Sequence, residues 1–418
     1  MSRLKKILRI LGPGLLFASM AIGTSHLVLS TKAGAQYGWV MIIPIVLANV
    51  LKYPFFEFGV RYTHVTEKTL IQGYLNLGKG YLWTYAVVTL VSVFTILAAL
   101  YVVTAGLLIN LFKFDISVSL AALGLFTFIS IVLIVGRYKF LEDSLKLVIA
   151  ILFLALLATT VLVLGEGPVS DSVDFQRPQI FNEVGVLFLI SLVGWMPTAV
   201  EASGWVSLWS IEKLKSSKQK PTLKEALGEF NLGYILTAVL AIFFLIIGWM
   251  TFYGTGIELS GNATTFADQV VTLFTTHIGD WAYLIIAVAA FATMFSTCMT
   301  AHDAVSRVSL DVLGKLIPQK RVFEKKSAFM LMVILMALIN WVVISLFSAN
   351  MGNLVALATF VSFVMAPIIG WMNLKAVTGN DVPVANRPKI GLRLLTYLGM
   401  IFLSLFALYY CWILIQQP

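Results

Sequence analysis

The sequence predicts an all-α polytopic membrane protein with about eleven transmembrane helices. Hydrophobic residues make up 59% of the 418 residues, and charged residues make up only 12%. An ordinary globular chain, by contrast, carries about 25% charged residues. The apolar residues also occur in blocks of about 20 to 25, and each block is long enough to cross roughly 30 Å of hydrocarbon as one helix. Together these features exclude a soluble enzyme, a nucleic-acid-binding protein and a disulfide-stabilised scaffold.

The apolar blocks between clusters of charged residues define the predicted spans. No stretch between them is long enough to form a soluble domain, so residues 1–418 are expected to form a single transmembrane domain. The spans are expected near residues 9–31, 39–60, 82–111, 116–135, 141–164, 182–210, 228–252, 279–304, 328–348, 352–374 and 393–415.

The basic residues predict the orientation of the chain in the membrane. If the N-terminus is cytoplasmic, most of the 29 lysines and arginines fall in the N-terminal tail and the even-numbered loops, such as 213–224 and 315–326. The odd-numbered loops then hold only Lys32, Lys113 and Arg177. Because cytoplasmic loops carry the excess of basic residues, we expect a multi-pass protein of the plasma or inner membrane, with a cytoplasmic N-terminus and an external C-terminus. The net charge of +9 therefore reflects topology and does not predict a nucleic-acid partner.

Two spans contain residues near their centre that disfavour a helix. The first carries Gly-Thr-Ser-His at residues 23–26, and the sixth carries Gly-Trp-Met-Pro-Thr at 194–198, with Glu201 just beyond. Proline cannot donate to the helical hydrogen-bond ladder and glycine disfavours it, so backbone groups are freed where there is no water. Such groups are tolerated where they line a cavity or bind a ligand. The predicted substrate-binding residues are therefore Gly23, Thr24, Ser25, His26, Met196, Pro197, Thr198 and Glu201.

The spacing of the two interrupted spans predicts an inverted repeat. They lie five helices apart, as expected when two five-helix units of opposite orientation hold a substrate between their breaks at the bilayer centre. The alternative is that both are packing kinks, because glycine and proline are common in membrane helices. The repeat predicts a first unit at about residues 9–164, a second at about 182–374 and an extra helix at about 393–415.

Several short motifs occur in and around these spans. They are Gly-Pro-Gly at 12–14, Ala-Gly-Ala-Gln-Tyr-Gly at 33–38, Leu-Ala-Asn at 47–49, Gly-Arg-Tyr at 136–138 with Leu-Glu at 141–142, and Met-Pro at 196–197. The first three resemble the first two helices of the natural resistance-associated macrophage protein (Nramp) family of metal transporters, and the others are similar to its fifth and sixth helices. This resemblance implies a LeuT-like fold with unwound helices one and six, alternating access, and a metal ion as the default substrate.

The chain departs from this family at the positions that bind the metal. Where the family has Asp-Pro-Gly-Asn, whose Asp and Asn bind the metal, residues 23–26 are Gly-Thr-Ser-His, and where the family continues Met-Pro-His, this chain has Thr198. The third helix of the family carries acidic residues associated with proton passage, whereas residues 82–111 contain none. Scaffold and ion site must therefore be judged separately, because a shared fold does not carry function.

Three of the remaining groups are candidate metal ligands. The imidazole of His26 and the thioether of Met196 suit a soft transition metal, and Glu201 would supply negative charge. Alternatively, His26 only hydrogen-bonds a backbone carbonyl. If His26 is a ligand, metal affinity should fall as the pH drops through about 6.5, because only the neutral imidazole coordinates.

Charged residues inside other spans are candidates for gating or coupling, or for purely structural ion pairs. Lys52 is the leading candidate to pair with Glu201, since its spacing from Glu57 suits a helical pair poorly. Asp303 and Arg307 are four residues apart and are expected to form a pair near the cytoplasmic end of the eighth span. Hydroxyls before this pair either line an ion path or bond back to helix carbonyls: Ser296, Thr297 and Thr300.

These features favour a secondary transporter over an enzyme or a sensor. The first hypothesis is transport of a divalent metal ion such as manganese, bound more weakly than at an intact family site. The second is the same scaffold moving a small organic solute or a monovalent ion, because the metal ligands are replaced. An enzyme would need a nucleophile–base pair or a compact metal site, which four scattered histidines do not provide. No cofactor is expected, and the expected partners are the transported ion or molecule and the lipid bilayer.

Overall fold

The computed structural model describes residues 13–136, 138–169, 175–217, 220–279, 283–318, 321–347 and 351–415. The regular elements in these ranges are all helices, which confirms the predicted all-α fold class. The N-terminal tail with its basic residues, Gly12 of the Gly-Pro-Gly motif, and Arg137 lie outside the described residues.

The helices coincide with the predicted spans, and the first and sixth spans are broken. Between α1 and α2 lies a π-helix, Ser25–Ser30. In chain order the α-helices are α1 (Pro13–Ala21), α2 (Thr31–Tyr37), α3 (Ile42–Thr66), α4 (Leu70–Leu77), α5 (Lys79–Phe112), α6 (Val118–Val135), α7 (Tyr138–Glu166), α8 (Glu183–Trp195), α9 (Ala202–Ser216), α10 (Leu223–Phe252), α11 (Ala263–Ile278), α12 (Tyr283–Leu316), α13 (Lys326–Phe347), α14 (Met351–Thr378) and α15 (Ile390–Ile415).

Within the described ranges, seven helical segments are long and apolar enough to cross a membrane by length and composition. Two shorter helices between spans, α4 and α11, were not predicted. Both begin at a side chain that caps the first turn: Thr69 accepts from the amide of Gln72, and Asn262 accepts from the amides of Thr264 and Thr265. Such caps are the sequence signal that identifies helices too short to show an apolar block.

The break in the first span is shorter than predicted. It occupies Ile22 and Gly23 rather than residues 23–26, because the amides of His26 and Leu27 both bond to the Gly23 carbonyl and restart helical structure at once. The first span also runs to Tyr37, beyond the predicted end at residue 31.

The break in the sixth span is longer than predicted and begins later. Gly194 and Trp195 still belong to α8, and residues 196–201 are not helical. Met196 is extended, with φ −96° and ψ 119°. The residue before a proline disfavours the helical conformation, so the helix ends at Trp195, immediately before Met196 and Pro197.

The two broken spans lie in the middle of the bundle. Every residue of α1 and of the π-helix is buried. α1 packs against α10 and α12, α2 packs along α10, α8 packs against α14, and α9 packs against α3. α15 packs on the outside of α14 and α3. Its predicted place outside two five-helix repeats, and the boundaries of those repeats, stay predictions.

Candidate functional site

The two breaks meet at a cavity of about 20 Å³. The Oγ of Ser25 lies 3.3 Å from the carbonyl oxygen of Pro197 and joins the two spans directly. The first span supplies one wall with Met20, Ala21, Thr24 and Ser25. The sixth span supplies the opposite wall with Trp195, Thr198, Ala199 and Trp205. Ile96 and Leu100 of α5 close the remaining side.

This cavity is the size of an ion or a water molecule. A water needs about 10–15 Å³, whereas pockets for organic ligands measure about 300–1,000 Å³. Hydroxyls of Thr24, Ser25 and Thr198 and the thioether of Met20 provide its polar atoms. The Thr24 hydroxyl is buried and has no hydrogen-bond partner within the described part of the chain. In this conformation the site therefore has room for a small ion and carries one hydroxyl with unused bonding capacity.

A hydroxyl from another helix lies against the freed backbone of the first break. The Oγ1 of Thr297, in α12, lies 2.8 Å from the Ser19 carbonyl and 3.1 Å from the Ile22 carbonyl. It also lies 3.0 Å from the carbonyl of Thr293, four residues earlier on its own helix. The hydroxyls of this helix were expected either to line an ion path or to bond back to helix carbonyls. Thr297 bonds to carbonyls.

The His26 ring is hydrogen-bonded at both nitrogens. Nε2 lies 2.9 Å from the Thr237 carbonyl of α10, and Nδ1 lies 2.8 Å from the Ser25 hydroxyl. Because a carbonyl can only accept, Nε2 carries a proton, and Nδ1 is engaged by serine. The alternative interpretation, a bond from His26 to a backbone carbonyl, matches this geometry. A metal-ligand role for His26 stays a prediction, and it requires the ring to give up one of these bonds.

Lys52, in α3, enters the break of the sixth span. Its buried ammonium donates to the carbonyls of Val193, Gly194 and Thr198 at 3.0, 2.9 and 3.0 Å. Lys52 is therefore not hydrogen-bonded to Glu201, its predicted partner, because all three N–H bonds are used by carbonyls that the proline-induced break exposes. The two charges still interact through space. The Val193 carbonyl is thus bonded to lysine and is not free to bind an ion.

Glu201 is buried at the end of the same break, and its polar partners are two serines. Its Oε1 accepts from Ser92 of α5 at 2.5 Å and from Ser362 of α14 at 3.3 Å. Its Oε2 has no hydrogen-bond partner among the described residues. The carboxylate thus faces the protein interior, as predicted, and has one oxygen available for a further bond. A role in substrate binding stays a prediction.

The thioether that lines the cavity belongs to Met20 and not to Met196. Met196 is fully buried but is not part of the cavity wall, whereas the Sδ of Met20 lies 3.3 Å from the Thr198 hydroxyl. Met20 was not among the residues predicted from the sequence. No local signal identifies it, because the break at Ile22 and Gly23 separates it from Thr24 and helical periodicity does not continue across the break.

The other candidate charges form local pairs. Glu57 pairs with Arg61 at 2.5 Å, one turn further along α3, and it does not contact Lys52. Asp303 pairs with Arg307 at 2.8 Å, as the spacing predicted, and it also accepts from the indole of Trp209 at 3.3 Å. These residues do not line the cavity between the breaks, so a part in gating or coupling stays a prediction.

A much larger cavity lies away from the two breaks. It measures about 1110 Å³ and is lined by the beginning of α5 and the ends of α9 and α12, with Lys79, Glu212, Arg307 and Lys325 on its walls. The size of this larger cavity does not make it the substrate site, because the freed backbone of the two breaks lies in another part of the molecule. In the described ranges, no group of three or more histidine, cysteine or acidic side chains is arranged to hold a metal ion.

Comparisons with known proteins agree on the fold and the family. The family model described as Natural resistance-associated macrophage protein-like matches residues 14–412. Uncharacterized protein PM0681 of Pasteurella multocida (strain Pm70) is 31% identical over 400 residues, which cover 95% of this chain and 90% of that protein.

Solved structures show the same fold at lower identity. A mutant of the Eremococcus coleocola manganese transporter superposes with a TM-score of 0.71 at 15% identity, over 98% of this chain and 87% of that one. MhsT in complex with L-phenylalanine superposes with a TM-score of 0.62 at 15% identity, over 97% of this chain and 99% of that one. The LeuT-like fold is thus confirmed, and the chain is a multi-pass membrane protein and not an enzyme. The match along nearly its whole length shows that this chain belongs to the Nramp family of secondary transporters.

Proposed function

We propose that this transporter carries a divalent metal ion such as manganese, by alternating access through the cavity between its two broken spans. The observation that carries the proposal is the cavity itself, which has the size of an ion and is walled by hydroxyls and a thioether from both breaks. The membership of the family and the similar fold of a manganese transporter support the same substrate.

The proposed ligand set differs from the one expected from the sequence. The side chains that line the cavity are the proposed ligands of the ion in this conformation, and they belong to Met20, Thr24 and Thr198. His26 and Met196 would join only after a rearrangement. No carboxylate belongs to the described wall of the cavity, and Glu201, with one oxygen available, is the acidic side chain of the same break. Because a dication needs negative charge to offset desolvation, we expect weak binding that relies on Glu201.

One observation favours the second candidate, transport of a monovalent ion or a small polar solute. The Lys52 ammonium bonds to the carbonyl of Thr198, whose side chain lines the cavity. A fixed positive charge so close to the site repels a dication more strongly than a monovalent ion or a neutral solute. The two candidates therefore make different predictions for metal uptake.

Uptake of radioactive manganese into proteoliposomes tests the proposal. We expect saturable uptake by the wild type and about a tenfold loss of affinity in Met20→Leu, which replaces the sulfur at nearly constant volume and removes about 1.4 kcal/mol of binding. Met250→Leu, at a buried methionine of α10 that does not line the cavity, is the matched control and should behave as the wild type. If the wild type shows no saturable manganese binding or uptake, the metal substrate is rejected, and monovalent cations and small solutes become the substrates to assay.

A further inference from the structure

Three backbone carbonyls converge on one point in the break of the sixth span. Val193 and Gly194 belong to the last turn of α8, and Thr198 follows Pro197 across the break. Their oxygens lie 2.9–3.0 Å from the Lys52 Nζ, and the lysine side chain is completely buried. The C-terminal end of a helix also carries a partial negative charge, so the same point is electrostatically attractive to a cation.

This arrangement has the chemistry of a monovalent-cation site. Rings of backbone carbonyls are the ligands that replace the hydration shell of potassium in channels. A lysine ammonium is a compact point charge with three donors, and it satisfies three acceptors at once. We propose that the break of the sixth span is a monovalent-cation site whose resident cation is the ammonium of Lys52, tethered to α3. The proposal goes beyond the identity of the substrate and holds for either candidate.

The charge balance of the break fits a resident cation. Glu201 ends the same break, is buried, and keeps one carboxylate oxygen without a hydrogen-bond partner in the described part of the chain. A buried carboxylate is costly unless a positive charge lies nearby. Lys52 and Glu201 make no direct hydrogen bond, so the lysine offsets the carboxylate through space while it holds the carbonyls. A transported ion therefore cannot use the Val193 carbonyl unless Lys52 moves away.

Removing the ammonium group of the lysine with little change in the rest of its side chain tests the proposal. Met has a chain one heavy atom shorter than Lys and carries no charge, so Lys52→Met leaves the position of Nζ to a free cation. The thermal unfolding of the purified full chain is compared in sodium, potassium, ammonium and choline chloride at equal ionic strength. We expect at least one small cation to raise the melting temperature of Lys52→Met by about 2 °C or more over choline, because a ligand stabilises the state that binds it.

Two controls make the result specific. The ammonium of the wild type occupies this site, so any difference that the wild type shows between small cations and choline should be smaller than that of Lys52→Met. Lys32→Met removes the same charge from a lysine that bonds a single carbonyl, that of Ser260 at 3.4 Å, and it should show no larger difference than the wild type.

Three results would overturn the proposal. One is an equal melting temperature of Lys52→Met in all four salts. Another is the same cation dependence in the wild type or in Lys32→Met. The third is a Lys52→Met protein that is unfolded in every salt, since a free cation would then fail to replace the ammonium. Each of these readouts is independent of transport, so a failed manganese assay leaves them unaffected.

Discussion

The two broken spans meet the same physical requirement with different chemistry. Each break frees carbonyls at a depth where no water can bond them, and in each a single side chain from a neighbouring helix takes over. In the first span this is the neutral hydroxyl of Thr297, beside the carbonyls of Ser19 and Ile22. In the sixth span it is the Lys52 ammonium, on three carbonyls.

The extent of each break explains the difference. The first break covers two residues, and the Gly23 carbonyl is bonded again by the next amides, so few carbonyls are freed and a hydroxyl with a single proton lies beside them. The sixth break contains Pro197 and continues to residue 201, so several carbonyls point to one place and a donor with three protons satisfies them. Interruptions that look alike in a sequence can therefore create a neutral wall on one side of a site and a charged one on the other.

The largest expected effect is the difference in stability between substitutions of Lys52 and of Thr297. In choline chloride, Lys52→Met should lower the free energy of unfolding by about 3–5 kcal/mol, because it leaves buried carbonyls and a buried carboxylate without the charge that stabilises them. Thr297→Val, which removes one hydroxyl at constant shape, should lower it by only about 1 kcal/mol. Denaturant unfolding followed by tryptophan fluorescence measures both. Equal losses would show that the charge of Lys52 contributes nothing beyond a hydrogen bond.

The next effect concerns the carboxylate that only the sixth break possesses. Glu201→Gln keeps an oxygen for Ser92 and Ser362, so the protein should remain folded, but the positive charge of Lys52 is then no longer offset. If the substrate is a cation, uptake should fall about tenfold or more, since hydrogen bonds to charged groups contribute about 1.5–3 kcal/mol. Glu201→Asp, which keeps the charge, should retain more uptake. Unchanged uptake by Glu201→Gln would exclude the carboxylate from transport.

The sequence was sufficient for the fold and for the location of the two broken spans. Apolar blocks revealed the spans, because a membrane helix must be apolar over its whole length. Glycine and Pro197 revealed the breaks, because they disturb the helical ladder locally.

The partners of the breaks could not be predicted in this way. Lys52 and Val193 are 141 residues apart, and nothing local to either shows that they touch. The choice between Met20 and Met196 depends on the direction of a side chain on extended backbone, which the helical periodicity of the sequence does not describe. Sequence patterns therefore located the freed carbonyls, and the packing of distant helices decided what bonds to them.

The smallest expected effect tests how each break packs against its neighbour. A Cβ added at Gly23 would lie 2.6 Å from the Cγ2 methyl of Thr297, whereas one added at Gly194 would lie 2.5 Å from the backbone carbonyl oxygen of Thr359 in α14. A side chain can rotate and a helix backbone cannot, so Gly23→Ala should cost about 1 kcal/mol and Gly194→Ala more, within the roughly 1–3 kcal/mol of overpacked cores.

The pair Gly23 and Thr297 also permits a rescue, measured as a double-mutant cycle of unfolding free energies. Thr297→Ser removes the methyl that the new Cβ would meet and keeps the hydroxyl that bonds the Ser19 and Ile22 carbonyls. Gly23→Ala should therefore cost less in the Thr297→Ser background, with a coupling energy of about 0.5–1 kcal/mol, as expected for residues in contact. Part of the cost should remain, because the Oγ1 and Cβ that serine keeps lie 3.1 and 3.3 Å from the new Cβ. Gly194→Ala should gain nothing from the same serine, because its obstacle is the backbone of α14. If the losses of unfolding free energy for Gly23→Ala and Thr297→Ser were additive, the first break would be able to shift away from α12. Its carbonyls would then not depend on Thr297 in the way that the carbonyls of the sixth break depend on Lys52.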